Sequence, residues 1–132
     1  MAESLPNTLE LREIKYSPKT PAAERIATAA RLANAGRLTE ALDLSLLARD
    51  EEGIAGLRKR AVEEGQVILL LALSRDGRPV AATEWKRAGA AAEKAGRWRE
   101  AFRAFSEAGD EEALIRLRER LPDYELWQPQ GK

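Results

Sequence analysis

The chain has 132 residues, of which 44% are hydrophobic and 33% charged, with Lys+Arg and Asp+Glu equal at 22 each and a net formal charge of zero. These proportions fit one soluble globular domain able to bury a continuous core, and they provide no global field to attract a polyanion. Cysteine and histidine are both absent, which removes disulfides, thiolate nucleophiles, imidazole bases and the usual zinc ligands together.

Alanine, leucine, arginine and glutamate dominate and aromatics make up only 5%, a mix that favours helix. The opening MAESLPNTLE has neither the basic nor the apolar region of a secretory signal. The longest apolar run, Val67 to Leu73, is too short to span a bilayer, so a cytoplasmic location and no membrane insertion are expected.

Residues 1–19 read as an extended N-terminal arm. Pro6, Asn7 and the Ser17-Pro18 step disfavour helix, and the stretch from Leu9 to Tyr16 has the residue types of a short extended segment. Leu9 and Leu11 share one face of such a strand, Ile14 and Tyr16 the other. Two roles stand open: packing along a helical body, or a hook that pairs with another chain.

Thr20-Pro21 predicts a helix start, with threonine as N-cap and proline in the first turn. This first helix runs to Ala35 with Ile26, Ala29, Ala30 and Ala33 inward, and Gly36 stops it. A second, 38–49, carries leucine on more than one face, which implies neighbours on both sides. Asp50 caps a third, 51–64, whose stripe is Ile54, Leu57 and Ala61. The run 66–75 is apolar almost all round, so periodicity alone allows a buried strand or a helix. Helix is preferred, because a lone strand in a helical chain leaves its backbone groups without partners.

After the Arg75-Asp-Gly-Arg-Pro79 loop come the two most strongly patterned helices. Trp85, Ala88, Gly89, Ala92 and Ala95 form one stripe, and Trp98, Ala101, Phe102, Phe105 and Ala108 the next. Small residues facing large ones let two helices approach closely and still fill the space between them. Asp110 caps a seventh helix, 111–121, with Leu114, Leu117 and Leu121 inward. Pro122 ends it, and the tail 122–132 brings Tyr124 and Trp127, expected to lie back on the body.

A shift of 60 residues places segment 35–61 on segment 95–121 without a gap. Twelve of the 27 positions are identical: Ala35, Gly36, Arg37, Glu40, Ala41, Ala48, Asp50, Glu51, Glu52, Leu57, Arg58 and Arg60 have the same residue 60 positions on. Roughly three identities are expected by chance for this composition, so the match signals an internal repeat. With Gly65 almost midway between Gly36 and Gly96, turn glycines recur about every 30 residues. The expected fold is therefore all-α: about seven helices, arranged as three stacked antiparallel helical hairpins plus a C-terminal capping helix. The domain would span 20–121.

The order and spacing of Trp85, Ala88-Gly89, Ala92, Gly96, Ala101, Phe105 and Ala108 resemble the tetratricopeptide repeat. Ala88 and Ala92 are smaller than that family's leucine and aromatic, and Gly-Asp-Glu-Glu stands where it usually has proline. The resemblance implies a right-handed α-α superhelix that binds peptides or protein faces along the first helix of each hairpin. Asn34, Lys86, Ala90, Glu93 and Lys94 fall on the corresponding positions. With Leu9, Leu11, Ile14 and Tyr16 of the arm and Tyr124 and Trp127 of the tail, they make up the candidate partner-binding set.

Chemistry of other kinds finds little support in the residues. Asp50-Glu51-Glu52 and Asp110-Glu111-Glu112 sit at helix starts, where capping explains them. No serine has a histidine to activate it, and no glycine run has a phosphate-loop context. Neither a cofactor nor a metal is expected. One competitor is RNA binding through Arg97, Arg99, Arg103, Arg116, Arg118 and Arg120 around Trp98, although interspersed glutamates point to surface pairing. The reading favoured is a non-catalytic adaptor or accessory subunit that binds another protein, with self-association as a further alternative.

Overall fold

The computed structural model describes residues 5–17 and 19–120. Among them are eight α-helices and no strand: α1 (Thr8–Tyr16), α2 (Ala22–Asn34), α3 (Leu38–Leu47), α4 (Glu51–Glu64), α5 (Val67–Arg75), α6 (Ala82–Lys94), α7 (Trp98–Ala108) and α8 (Glu111–Arg118). The run 67–75 is thus helical, with Gln66 as its N-cap. The chain divides into two compact units, Met1–Lys59 and Arg60–Lys132, with the division inside α4.

The helix beyond the expected seven is α1, and it replaces the extended N-terminal arm. Asn7, read as a helix breaker, is instead the N-cap: its side chain accepts from the Glu10 N–H at 2.8 Å, while the Glu10 carboxylate accepts from the Asn7 N–H at 3.0 Å. This reciprocal capping box satisfies two of the amides that a helix start leaves unpaired. Pro6 precedes the cap, where its missing N–H costs nothing.

In the first unit, α2 and α3 form a closely packed hairpin. The α2 N-cap is Pro21 with no side-chain cap bond, and the Thr20 hydroxyl donates to the Glu13 carbonyl at 3.4 Å. Its buried face is Thr28, Ala29 and Leu32, while Ile26 is 38% exposed. The stripe is therefore rotated from the one expected. Leu38, Ala41, Leu42, Leu44 and Ser45 of α3 are buried, and Leu47 faces outward.

The turn between α2 and α3 is built by three residues. Gly36 has φ +83°; its N–H reaches the Ala33 carbonyl at 3.0 Å and the Arg37 N–H reaches the Leu32 carbonyl at 2.9 Å. This is a Schellman ending, in which a left-handed residue lets the chain leave the helix with its last carbonyls satisfied. Between α6 and α7 in the second unit, Gly96 and Arg97 make the same two bonds, to Glu93 at 3.0 Å and Ala92 at 2.9 Å.

The α6–α7 hairpin carries the small-to-large packing expected of it. Trp85, Ala88, Gly89 and Ala92 of α6 and Ala101, Ala104 and Phe105 of α7 are buried, and a Cβ placed on Gly89 would lie 3.0 Å from the Phe105 ring. Trp98 and Phe102 are only half-buried. Asp110 caps α8 by accepting from the Ala113 N–H at 3.2 Å, and Ala113, Leu114 and Leu117 are buried. On α5, Val67, Leu69, Leu70 and Leu73 are buried, but Ile68 is 61% exposed, so this helix is not covered all round.

Gly65, at φ +71°, ends α4 against α6: a Cβ there would come 2.6 Å from the Ala92 nitrogen and 2.9 Å from the Ala88 oxygen. Gly96, at φ +80°, has nothing within 4 Å of the same position. Gly96→Ala should therefore cost only left-handed strain, about 1 kcal/mol. Gly65→Ala adds a collision with backbone that cannot swing aside and should cost about 2–4 kcal/mol. Urea denaturation of both variants checks the order; equal losses would contradict it.

Candidate interaction surfaces

In the first unit, α1 is held by its C-terminal end. The Arg25 guanidinium, projecting from α2, donates from Nε to the Ile14 carbonyl and from Nη2 to those of Lys15 and Ser17, each at 3.1 Å. A cation set on the last carbonyls of a helix satisfies unpaired acceptors and complements the negative end of the dipole. Lys15 adds an ion pair with Asp43 of α3 at 3.1 Å and lies 5.2 Å from the centre of the Tyr16 ring. Burial disfavours the Lys15 charge, but the hydrogen bond and charge of Asp43, helped by Tyr16, outweigh it and raise its pKa.

This attachment gives α1 two unlike faces. Inward, Leu11 and Lys15 border a cavity of about 200 Å³ with Glu40, Asp43 and Leu44 of α3, and Arg12 and Tyr16, exposed on their other side, line it too. Ile14 is half-buried beside them in sequence. Outward, Leu9 is 74% exposed and Tyr16 64% exposed, with Arg12 and Glu13 exposed between them. Leu9, Leu11, Ile14 and Tyr16 thus share one short helix, and only Leu9 and Tyr16 are open to a partner.

In the second unit the arginines are largely committed to this chain. Arg97 reaches the Glu64 carbonyl at 2.6 Å, the Gly65 carbonyl at 3.0 Å and the Glu100 carboxylate at 3.2 Å, tying the α6–α7 turn to the end of α4. Arg103 pairs with Glu107 at 3.1 Å, and Arg120 lies 5.1 Å from the centre of the Trp98 ring. Arg116 grips Glu93 through two bonds, 3.1 and 2.6 Å, and stands 5.9 Å from the Phe105 ring centre. Glu93, and the charge of Asp110 behind it, raise the Arg116 pKa. Arg99 and Arg118 are exposed. The Trp98 ring, on which an RNA base would stack, already lies against a cation, and at least four of the six arginines have partners within the chain.

Glu93 of the candidate set is paired within the chain: its side chain is 20% exposed and bidentate to Arg116. Lys86, Ala90 and Lys94 remain exposed on α6, at four-residue spacing that aligns them in one stripe. Among the described residues neither lysine has a hydrogen bond or ion pair. Asn34, 60 positions before Lys94, is exposed at the end of α2. Tyr124 and Trp127 lie outside the described residues.

Sequence reasoning passed over Arg25, Asp43, Arg12 and Glu13. The first two act on α1 only because it is a helix with carbonyls and a lysine to offer, so reading the Asn7-x-x-Glu10 capping pattern would have pointed to them. Among the described residues no group of three or more acidic side chains is placed to hold a metal ion, and no helix is long and apolar enough to cross a membrane. No protein-family model matches the chain, and no curated protein or solved structure matches it significantly.

Arg25→Ala should release the end of α1 while leaving the α2–α3 hairpin in place. Hydrogen exchange read by mass spectrometry is expected to lose protection about tenfold or more across residues 8–17 with little change across 38–47. Unchanged exchange in α1 would mean that Lys15–Asp43 and Leu11 hold it without the arginine.

Proposed function

We propose that this chain is a non-catalytic interaction module, an adaptor or accessory subunit of a larger cytoplasmic assembly, built on tetratricopeptide-like hairpins and using no cofactor. The observation that carries the reading is the stripe Lys86, Ala90 and Lys94 on α6. The opposite face of that helix is consumed by α7 through Gly89 and Phe105, whereas the two lysines are exposed and have no internal partner among the described residues. The nearby acid that could neutralise them, Glu93, is already gripped by Arg116.

The partner that fits is an acidic segment of another protein laid along α6, its carboxylates meeting ammonium groups two turns apart and its apolar side chains crossing Ala90. Lysine contacts of this kind steer association and depend on salt more than they add affinity.

The test is affinity capture from the native host with the wild-type chain and with a Lys86→Glu/Lys94→Glu variant. A protein retained by the wild type and lost, by tenfold or more, from an equally helical variant supports the reading. Capture that the double reversal leaves unchanged would overturn this surface, and recovery of RNA without a protein would replace the reading with nucleic-acid binding.

A further inference from the structure

The outer face of α1 has an internal symmetry. Leu9, Arg12, Glu13 and Tyr16 stand at helical spacing of three, four and seven, so they form one stripe. All four are exposed, and together with Ser17 they border one open recess. The stripe is palindromic in chemistry about the point between residues 12 and 13: apolar and basic on one side, acidic and apolar on the other. Among the described residues neither Arg12 nor Glu13 has a side-chain ion pair, although both lie within a turn of the tightly paired Lys15.

We infer that this face takes a second copy of the same chain, with two α1 helices antiparallel about a two-fold axis. In that arrangement Leu9 of each copy meets Tyr16 of the other, and Arg12 of each meets Glu13 of the other. An isologous contact requires a self-complementary patch, and this one is complementary in both its charges and its apolar groups. A parallel pairing would set Arg12 beside Arg12 and Glu13 beside Glu13. An acidic or basic partner of another kind would satisfy only one of the two charges and leave the other facing its like.

The contact is small. Nine residues at 1.5 Å rise give a seam of about 13 Å, which across a helix roughly 10 Å wide covers on the order of 130 Å², well short of the roughly 800 Å² per partner of a standard interface. The dimer is therefore weak and dependent on concentration. It is independent of the lysine stripe on α6, and purified protein alone tests it.

Sedimentation equilibrium from micromolar to millimolar concentration should show reversible dimerisation of the full chain. Arg12→Glu and Glu13→Arg should each weaken it by about tenfold or more, because each turns two attractive pairs into two repulsive ones. Mixing the two variants should restore dimers, now as heterodimers, since every crossing pair is again opposite in sign. That rescue separates the contact from any folding defect. A wild type that stays monomeric at millimolar concentration, a dimer indifferent to both reversals, or variants that fail to associate on mixing would each overturn the inference.

Discussion

Each helix from α2 to α7 is followed by a residue in the left-handed region: Gly36, Arg49, Gly65, Gly77, Gly96 and Gly109. That conformation lets a helix stop with its last carbonyls satisfied, and in every case but the loop after α5 the chain enters the next helix within three residues of the glycine or arginine. Only three residues join α2 to α3 and α6 to α7, so the second helix of each pair folds straight back against the first.

The identities between segments 35–41 and 95–101 arise from this construction. Alanine takes the last helical corner, glycine the left-handed position, and arginine the N-cap of the next helix. There Arg37 binds Glu40 at 2.6 and 2.8 Å, as Arg97 binds Glu100. The bond from Arg37 holds the Glu40 carboxyl below its ordinary pKa against the opposing effect of burial. One residue on, Ala41 and Ala101 are both fully buried. The shared residues thus build turns. The differences between the two segments lie elsewhere: Gly89 and Phe105 pack together where the positions 60 earlier hold Ala29 and Ser45, and Arg97 adds bonds to the end of α4.

Elements bounded by such signals are legible in the sequence. The starts of α3, α4, α7 and α8 coincide with expectation because glycine or a capping aspartate stands before each. The N-terminal helix is not legible if Asn7 is weighed as a breaker alone; its meaning depends on Glu10 three residues later. Face assignments are less secure than helix assignments, as the exposure of Ile26 and the half-burial of Trp98 illustrate, since alanine-rich stripes leave the rotation of a helix to its neighbours. The candidate surfaces are least legible. Whether Glu93 is free or gripped depends on Arg116, 23 residues away, and whether Arg25 is a surface cation or a clamp depends on a helix it does not belong to.

The turn after α3 offers the most direct measurement of the central claim. It has the same bonds as the others, from Arg49 to the Leu46 carbonyl at 3.1 Å and from Asp50 to the Ser45 carbonyl at 3.0 Å, yet Arg49 adopts φ +54° where the position 60 later is Gly109. Its side chain is exposed and, among the described residues, makes no hydrogen bond or ion pair. Relief of about 1–2 kcal/mol of left-handed strain, set against about 0.4–1 kcal/mol for the freer unfolded chain, predicts that Arg49→Gly stabilises the protein by about 0.5–1 kcal/mol. Thermal unfolding of that variant decides the matter: a raised midpoint agrees with a fold governed by left-handed turns, and a lowered one contradicts it.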